Sequence, residues 1–126
     1  MSISEADAAT TVERYFAAMR QGRTAEVDMM ALFSDDIVYV EPFSGDADPA
    51  VGKAAVLARL RRGWEAPLPD MELDVRSVDV QGATATSTWE CRSSAFPAPV
   101  TGRDSYEFDG EGLISRLHVE IVNQSD

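Results

Sequence analysis

The chain has 126 residues, 44% of them hydrophobic and 26% charged, which suits one domain over residues 1–126 with a closed core and excludes wholesale disorder. Its formal net charge of -11 opposes phosphate backbones and anionic bilayers, so neither nucleic acid nor a membrane is an expected partner. With one cysteine (Cys91) and one histidine (His118), an internal disulfide is excluded and a nitrogen–sulfur zinc site disfavoured.

The first twenty residues are polar and carry acids, unlike a signal peptide, and the composition points to a reducing cytoplasm. Ser4 is placed to cap a first helix, in which Val12, Tyr15, Phe16 and Met19 recur at helical spacing and Gly22 supplies the stop. Thr24 is expected to cap a second, shorter helix with Val27, Met30, Ala31 and Phe33 on its inner face. Asp35-Asp36 reads as a turn into a strand from Ile37 to Glu41, which Pro42 ends. Residues Phe43 to Gly52, rich in glycine, proline and aspartate, read as a loop. A third helix buries Val56, Leu57, Leu60 and Trp64 and presents Arg59, Arg61 and Arg62 to solvent.

From Met71 the hydrophobic period falls to two, with Met71, Leu73 and Val75 alternating against Glu72, Asp74 and Arg76. Gln81-Gly82 turns into a threonine-rich strand over 83–92. Phe96-Pro97-Ala98-Pro99 breaks the sheet margin, and Val100 to Phe108 resumes it. Asp109-Gly110-Glu111-Gly112 is the strongest hairpin signal, leading to a last strand over 113–122. Helices followed by strands indicate an α+β fold.

Strand parity indicates which side chains share the inner face. Glu41 groups with Ile37 and Tyr39, and Asp104 with Tyr106 and Phe108. Trp89 groups with Ser87 and Cys91, while Leu117, Val119 and Ile121 form an apolar row opposite His118 and Glu120. Tyr39, Trp89, Tyr106, Leu117 and Val119 are thus the expected wall of a greasy pocket, with Tyr15, Glu41 and Asp104 as its polar groups. A carboxylate facing a phenol and a second carboxyl group is equipment for moving a proton beside a carbonyl. Each also has a plainer role: Tyr15 as packing, Glu41 as a strand end, Asp104 as an edge charge. Trp89 reads equally as pocket wall or as core, and Cys91 as a small buried residue.

The runs Arg14-Tyr15-Phe16-Ala17-Ala18, Ala31-Leu32-Phe33-Ser34-Asp35-Asp36, Val40-Glu41-Pro42, Gly102-Arg103-Asp104 and Asp109-Gly110-Glu111-Gly112-Leu113-Ile114 together resemble the NTF2-like superfamily. Within it, the chain looks most like the ketosteroid isomerase and SnoaL-like branch. The resemblance implies a cone: a curved antiparallel sheet wrapped over three N-terminal helices. It also implies a homodimer through the outer sheet face, with Thr84, Thr86, Thr88 and Glu90. By the same likeness Glu41 is the base and Tyr15 and Asp104 hydrogen-bond the carbonyl oxygen of a small hydrophobic ketone, steroid-like by analogy, with no cofactor or metal. Glutamate stands where the resembled isomerases have aspartate, which moves the carboxylate by ~1.5 Å. The same scaffold leaves open a polyketide cyclase, an epoxide-hydrolase-like enzyme of natural-product metabolism, or a non-catalytic binder.

Overall fold

The computed structural model describes residues 4–45 and 48–122. Asp46 and Ala47, inside the loop expected over 43–52, lie outside the described residues. Helix α1 runs Glu5–Gln21; Ser4 Oγ accepts the Asp7 amide at 3.1 Å, and Gly22 ends the helix at φ 70°. Its inner stripe, Ala8, Val12, Tyr15 and Phe16, is buried as the spacing predicts.

The second helix departs from expectation. A 3-10 turn, Gly22–Ala25, leads into a five-residue helix, α2 (Glu26–Met30), in which Met29 is buried and Val27 is 80% exposed. Two substantial helices, not three, pack on the sheet, and the second of them, α3 (Lys53–Glu65), enters only after the first strands. A segment this short lacks the turns needed to develop an amphipathic stripe, so a single side chain anchors it.

Strand β1 (Phe33–Val40) begins four residues before the expected start. Asp35 and Asp36 lie within it and not in a turn; the register shift between Phe33 and Val38 lets both acids face solvent. The remaining strands are β2 (Ala50–Val51), β3 (Glu72–Gln81), β4 (Thr84–Arg92), β5 (Val100–Phe108) and β6 (Ile114–Ile121). They form one six-stranded sheet in the order β2-β1-β6-β5-β4-β3. The sheet is mixed, because β1 and β6 run parallel while the other pairs are antiparallel. The intervening helix and hairpins bring the chain back to β1 in the same direction, which sequence patterning alone does not encode.

Asp109 closes the last hairpin through Oδ1, which accepts the Glu111 and Leu113 amides at 2.9 and 3.0 Å. Arg20 Nε donates to Leu73 O at 2.9 Å, tying α1 to the edge strand β3. The inner sheet face is buried as parity requires: Ile37 and Tyr39, Ala85, Ser87, Trp89 and Cys91, Asp104, Tyr106 and Phe108, then Leu117 and Val119. Thr84, Thr86, Thr88 and Glu90 occupy the other face, where Glu90 pairs with Arg76 and Arg92.

Met29→Ala should lower stability in urea by about 2–5 kcal/mol, the usual cost of emptying a buried site, whereas Val27→Ala should change it by less than about 0.5 kcal/mol. Equal losses at the two positions would restore the inner face expected from the sequence.

Candidate active site

Tyr15 arrives from the middle of α1, Tyr39 from β1, Glu41 from the residue after β1, and Asp104 from β5. Their exposures are 3%, 5%, 7% and 1%, so all four face the interior. Tyr39 joins the group: its hydroxyl lies within electrostatic reach of Tyr15, Glu41, Asp104 and Arg59. Tyr15 in turn meets Tyr106 edge to face, ring centroids 6.0 Å apart, and Tyr106 stacks on Phe108 at 6.3 Å.

The two carboxyl groups occupy opposite environments. Asp104 sits among aromatic rings, where Oδ1 accepts Trp89 Nε1 at 2.9 Å and Oδ2 accepts the Tyr106 hydroxyl at 3.2 Å. The Tyr106 oxygen lies 2.8 Å from Ser87 Oγ, which is fully buried. Burial disfavours the Asp104 carboxylate more than the two donors favour it, and its pKa rises from 3.8 to about 6. Burial also pushes the Tyr15, Tyr39 and Tyr106 hydroxyls well above the ordinary phenol value, so they stay neutral donors.

Glu41 is held from four directions. Oε2 accepts the Phe43 and Ser44 amides at 2.7 and 2.9 Å, and Oε1 accepts Ser44 Oγ at 2.5 Å and Arg59 Nη1 at 3.2 Å. Burial alone would raise its pKa, but the Ser44 hydroxyl and amide, the Phe43 amide and Arg59 outweigh it and hold Glu41 below the usual glutamate value.

Arg59 was expected on the wet face of α3 with Arg61 and Arg62, and the structure corrects this. Its side chain is 11% exposed and spans from Glu41 to the Asp48 carbonyl. Arg61 does face outward, in a bidentate pair with Glu26 at 2.8 and 2.9 Å. The signal for Arg59 lay in the sequence: it stands three residues after Val56 and one before Leu60, both buried.

Tyr39, Trp89, Tyr106, Leu117 and Val119, expected to wall a pocket, are all buried, each at most 6% exposed. Two concavities among the described residues lie elsewhere. One, of about 310 Å³, opens between α1 and α2 beside Arg14, Ala17, Gln21 and Asp28; the other, of about 140 Å³, lies beside Asp79 and Thr84. Neither is bordered by Tyr15, Glu41 or Asp104. His118 is half-buried on the opposite face of β6 from Leu117 and Val119, and Cys91 is buried, its thiol pKa raised by that burial. Among the described residues no cluster of three or more His, Cys, Asp or Glu could hold a metal ion, and no helix is long and apolar enough to cross a membrane.

The profile of the SnoaL-like domain matches residues 12–117. The chain belongs to the SnoaL-like family. That match takes in Tyr15, Glu41 and Asp104 together. No curated protein sequence matches this SnoaL-like chain. Among solved structures it is similar to a protein of unknown function with a cystatin-like fold from Methylobium petroleophilum, with a TM-score of 0.79 and 19% identity over 100% of this chain and 82% of that one. It is also similar to a steroid delta-isomerase from Pseudomonas aeruginosa, with a TM-score of 0.71 and 19% identity over 95% and 82% of the two chains. A third likeness is to an epoxide hydrolase/cyclase-like enzyme of pyran ring formation in the polyether salinomycin, with a TM-score of 0.75 and 14% identity over 94% and 92%. At such identities the likeness establishes an NTF2-like α+β fold, and one fold of this kind carries several chemistries.

The two acids predict opposite pH slopes. Asp104 has a raised folded pKa, so the stability it contributes is complete below about pH 4 and is lost as pH rises through about 6. Glu41 has a lowered one, so its contribution is present above its unfolded value and is lost as pH falls. Asp104→Asn should therefore remove the decline between about pH 4 and 7, on the order of 3 kcal/mol relative to the wild type. Urea titrations across that range check this; parallel curves for the two proteins would mean that Asp104 ionises without penalty.

Proposed function

We propose that this SnoaL-like protein is an isomerase of a hydrophobic ketone, moving a proton from one carbon to another through an enolate. The observation that carries the reading is the buried Asp104, its pKa raised to about 6, set among neutral phenols. A general base works best with a pKa near the working pH, and Asp104 meets that condition. Glu41 does not, because four donors and a lowered pKa make its carboxylate a weak base. The base expected at Glu41 is therefore assigned to Asp104, and Glu41 with Arg59 anchors the turn beside the site.

The Asp104 carboxylate removes a proton next to the ketone carbonyl. The C–H electron pair becomes a carbon–carbon double bond, and the carbonyl oxygen takes up negative charge. The Tyr15 and Tyr39 hydroxyls, both kept neutral by burial, are the donors for that oxygen. Protonated Asp104 then returns its proton to the γ-carbon, and the conjugated ketone forms. Tyr106, Trp89, Leu117 and Val119 supply the apolar wall. Because each of these side chains is at most 6% exposed, entry of a flat apolar ligand needs side chains to part. The outer sheet face, with Thr84, Thr86, Thr88 and Glu90, belongs to the same proposal as a homodimer contact.

A cyclase or epoxide-opening enzyme is the second reading, favoured by the buried Arg59–Glu41 pair. An arginine-held carboxylate orients water or a hydroxyl group well, and Asp104 would serve as its acid.

Turnover of 5-androstene-3,17-dione, followed by the ultraviolet absorbance of the conjugated product, tests the first reading. kcat/KM should fall as pH drops below about 6, when Asp104 takes up its proton. Asp104→Asn should cost roughly 10²–10⁴-fold, and Glu41→Gln much less. A Glu41→Gln loss as large as that of Asp104→Asn would return the base to Glu41. Turnover of an epoxide in place of the ketone would favour the second reading, and ligand binding without any turnover would leave a binder.

A further inference from the structure

Side chains on the inner faces of β4 and β5 alternate in size across the ladder. Ala85 faces Tyr106, Ser87 faces Asp104, and Trp89 faces Gly102. The last pair is the closest: a Cβ placed on Gly102 would stand 2.1 Å from Cζ2 of Trp89, 2.5 Å from Cε2 and 2.6 Å from Cη2. Gly102 does not adopt a left-handed conformation, so its bare backbone serves space and not backbone freedom. The indole lies across that backbone. Its Nε1 reaches diagonally to the residue two positions further along β5 and donates to Asp104 Oδ1 at 2.9 Å.

An apolar wall does not need this arrangement. An aromatic wall needs no polar atom, and the indole N–H is a donor that must find an acceptor once buried. Tryptophan laid over glycine brings that N–H to the carboxyl group. Asp104 then has one protein donor on each oxygen, Trp89 on Oδ1 and Tyr106 on Oδ2, so its plane is fixed.

We propose that Trp89 is the positioning residue for Asp104, seated by Gly102, and that its N–H sets both the orientation of the carboxyl group and the pH at which it ionises. The catalytic consequence rests on the reading of Asp104 as the proton carrier; the coupling between the two side chains does not. The other titratable groups facing Asp104 are Tyr15 from α1, Tyr39 from β1 and Tyr106 from β5, all phenols with pKa values pushed above their ordinary value. From β4 come Trp89 and Ser87, and from β6 the apolar Val119. Near neutral pH, Asp104 is therefore the group in this cluster that changes charge.

Trp64 and Trp89 are the only tryptophans of the chain, so Trp64→Phe leaves Trp89 emission as a direct reporter. Between pH 4.5 and 8 that emission should show one transition centred on about pH 6, absent when Asp104→Asn is added. In the Trp89→Phe protein, which keeps an aromatic ring and loses the N–H, the Asp104 carboxyl signal in carbon NMR should titrate higher by about one pH unit or more. A flat emission curve, a transition that survives Asp104→Asn, or an unmoved midpoint in Trp89→Phe would each overturn the proposal. Turnover enters none of these readouts. An intact titration beside a failed isomerase assay would sink the proposed function and leave this coupling standing, and the reverse result would sink the coupling alone.

Discussion

Keeping a carboxyl group inside an aromatic core is the constraint on which this structure turns. An isolated charge there costs far more than the fold can supply, so Asp104 must be partly relieved by donors and partly allowed to take up a proton. Trp89 and Tyr106 give that relief, and each needs its own accommodation. Trp89 needs Gly102 opposite; Tyr106 faces Ala85 and has Ser87 at its hydroxyl. One buried acid thus dictates the size and polarity of residues over two neighbouring strands. The hydrogen bonds do not cancel the cost of burial, and the raised pKa is what remains.

Glu41 solves the same problem in the other direction. It sits where the chain leaves β1, so backbone amides freed by the end of the ladder are available to it, and Arg59 supplies a full positive charge. A buried pair of this kind is costly to break from one side, which suits an anchor better than a group that must exchange protons. The two acids end on opposite sides of their ordinary pKa values because one lies mid-strand under aromatic rings and the other at a strand end. Position along a strand has separated their chemistry.

Much of this was readable in the sequence. Period two on β4 and β5 put Ser87, Trp89, Asp104 and Tyr106 on one face, and helical spacing put Tyr15 in the core. Those inferences need only local geometry and hold wherever one face is buried. What failed was non-local. The parallel β1–β6 pairing depends on where the chain returns, and the exposure of Val27 depends on how little of α2 reaches the sheet. Arg59 defies the expectation that its charge sets, because its place on the Val56–Leu60 stripe turns it inward. How deeply Tyr39, Trp89 and Tyr106 are buried was also unreadable, since composition specifies a greasy wall without saying how much of it solvent reaches.

The charge of the whole chain bears on what such an interior admits. A net charge of -11 places the molecule in its own negative potential, which opposes anionic ligands and further disfavours ionised carboxyls away from bulk water. A neutral apolar ligand escapes that penalty. In the proposed isomerase it would become negative only on losing a proton, with the charge then on an oxygen beside phenols that cannot ionise near neutrality. In that proposal Asp104 is neutralised at the same moment by the proton it takes. The aromatic interior would then hold one negative charge before, during and after the transfer. A buried base with one ionisation to exchange meets the demand that the surrounding low dielectric imposes, namely that charge be moved and not created.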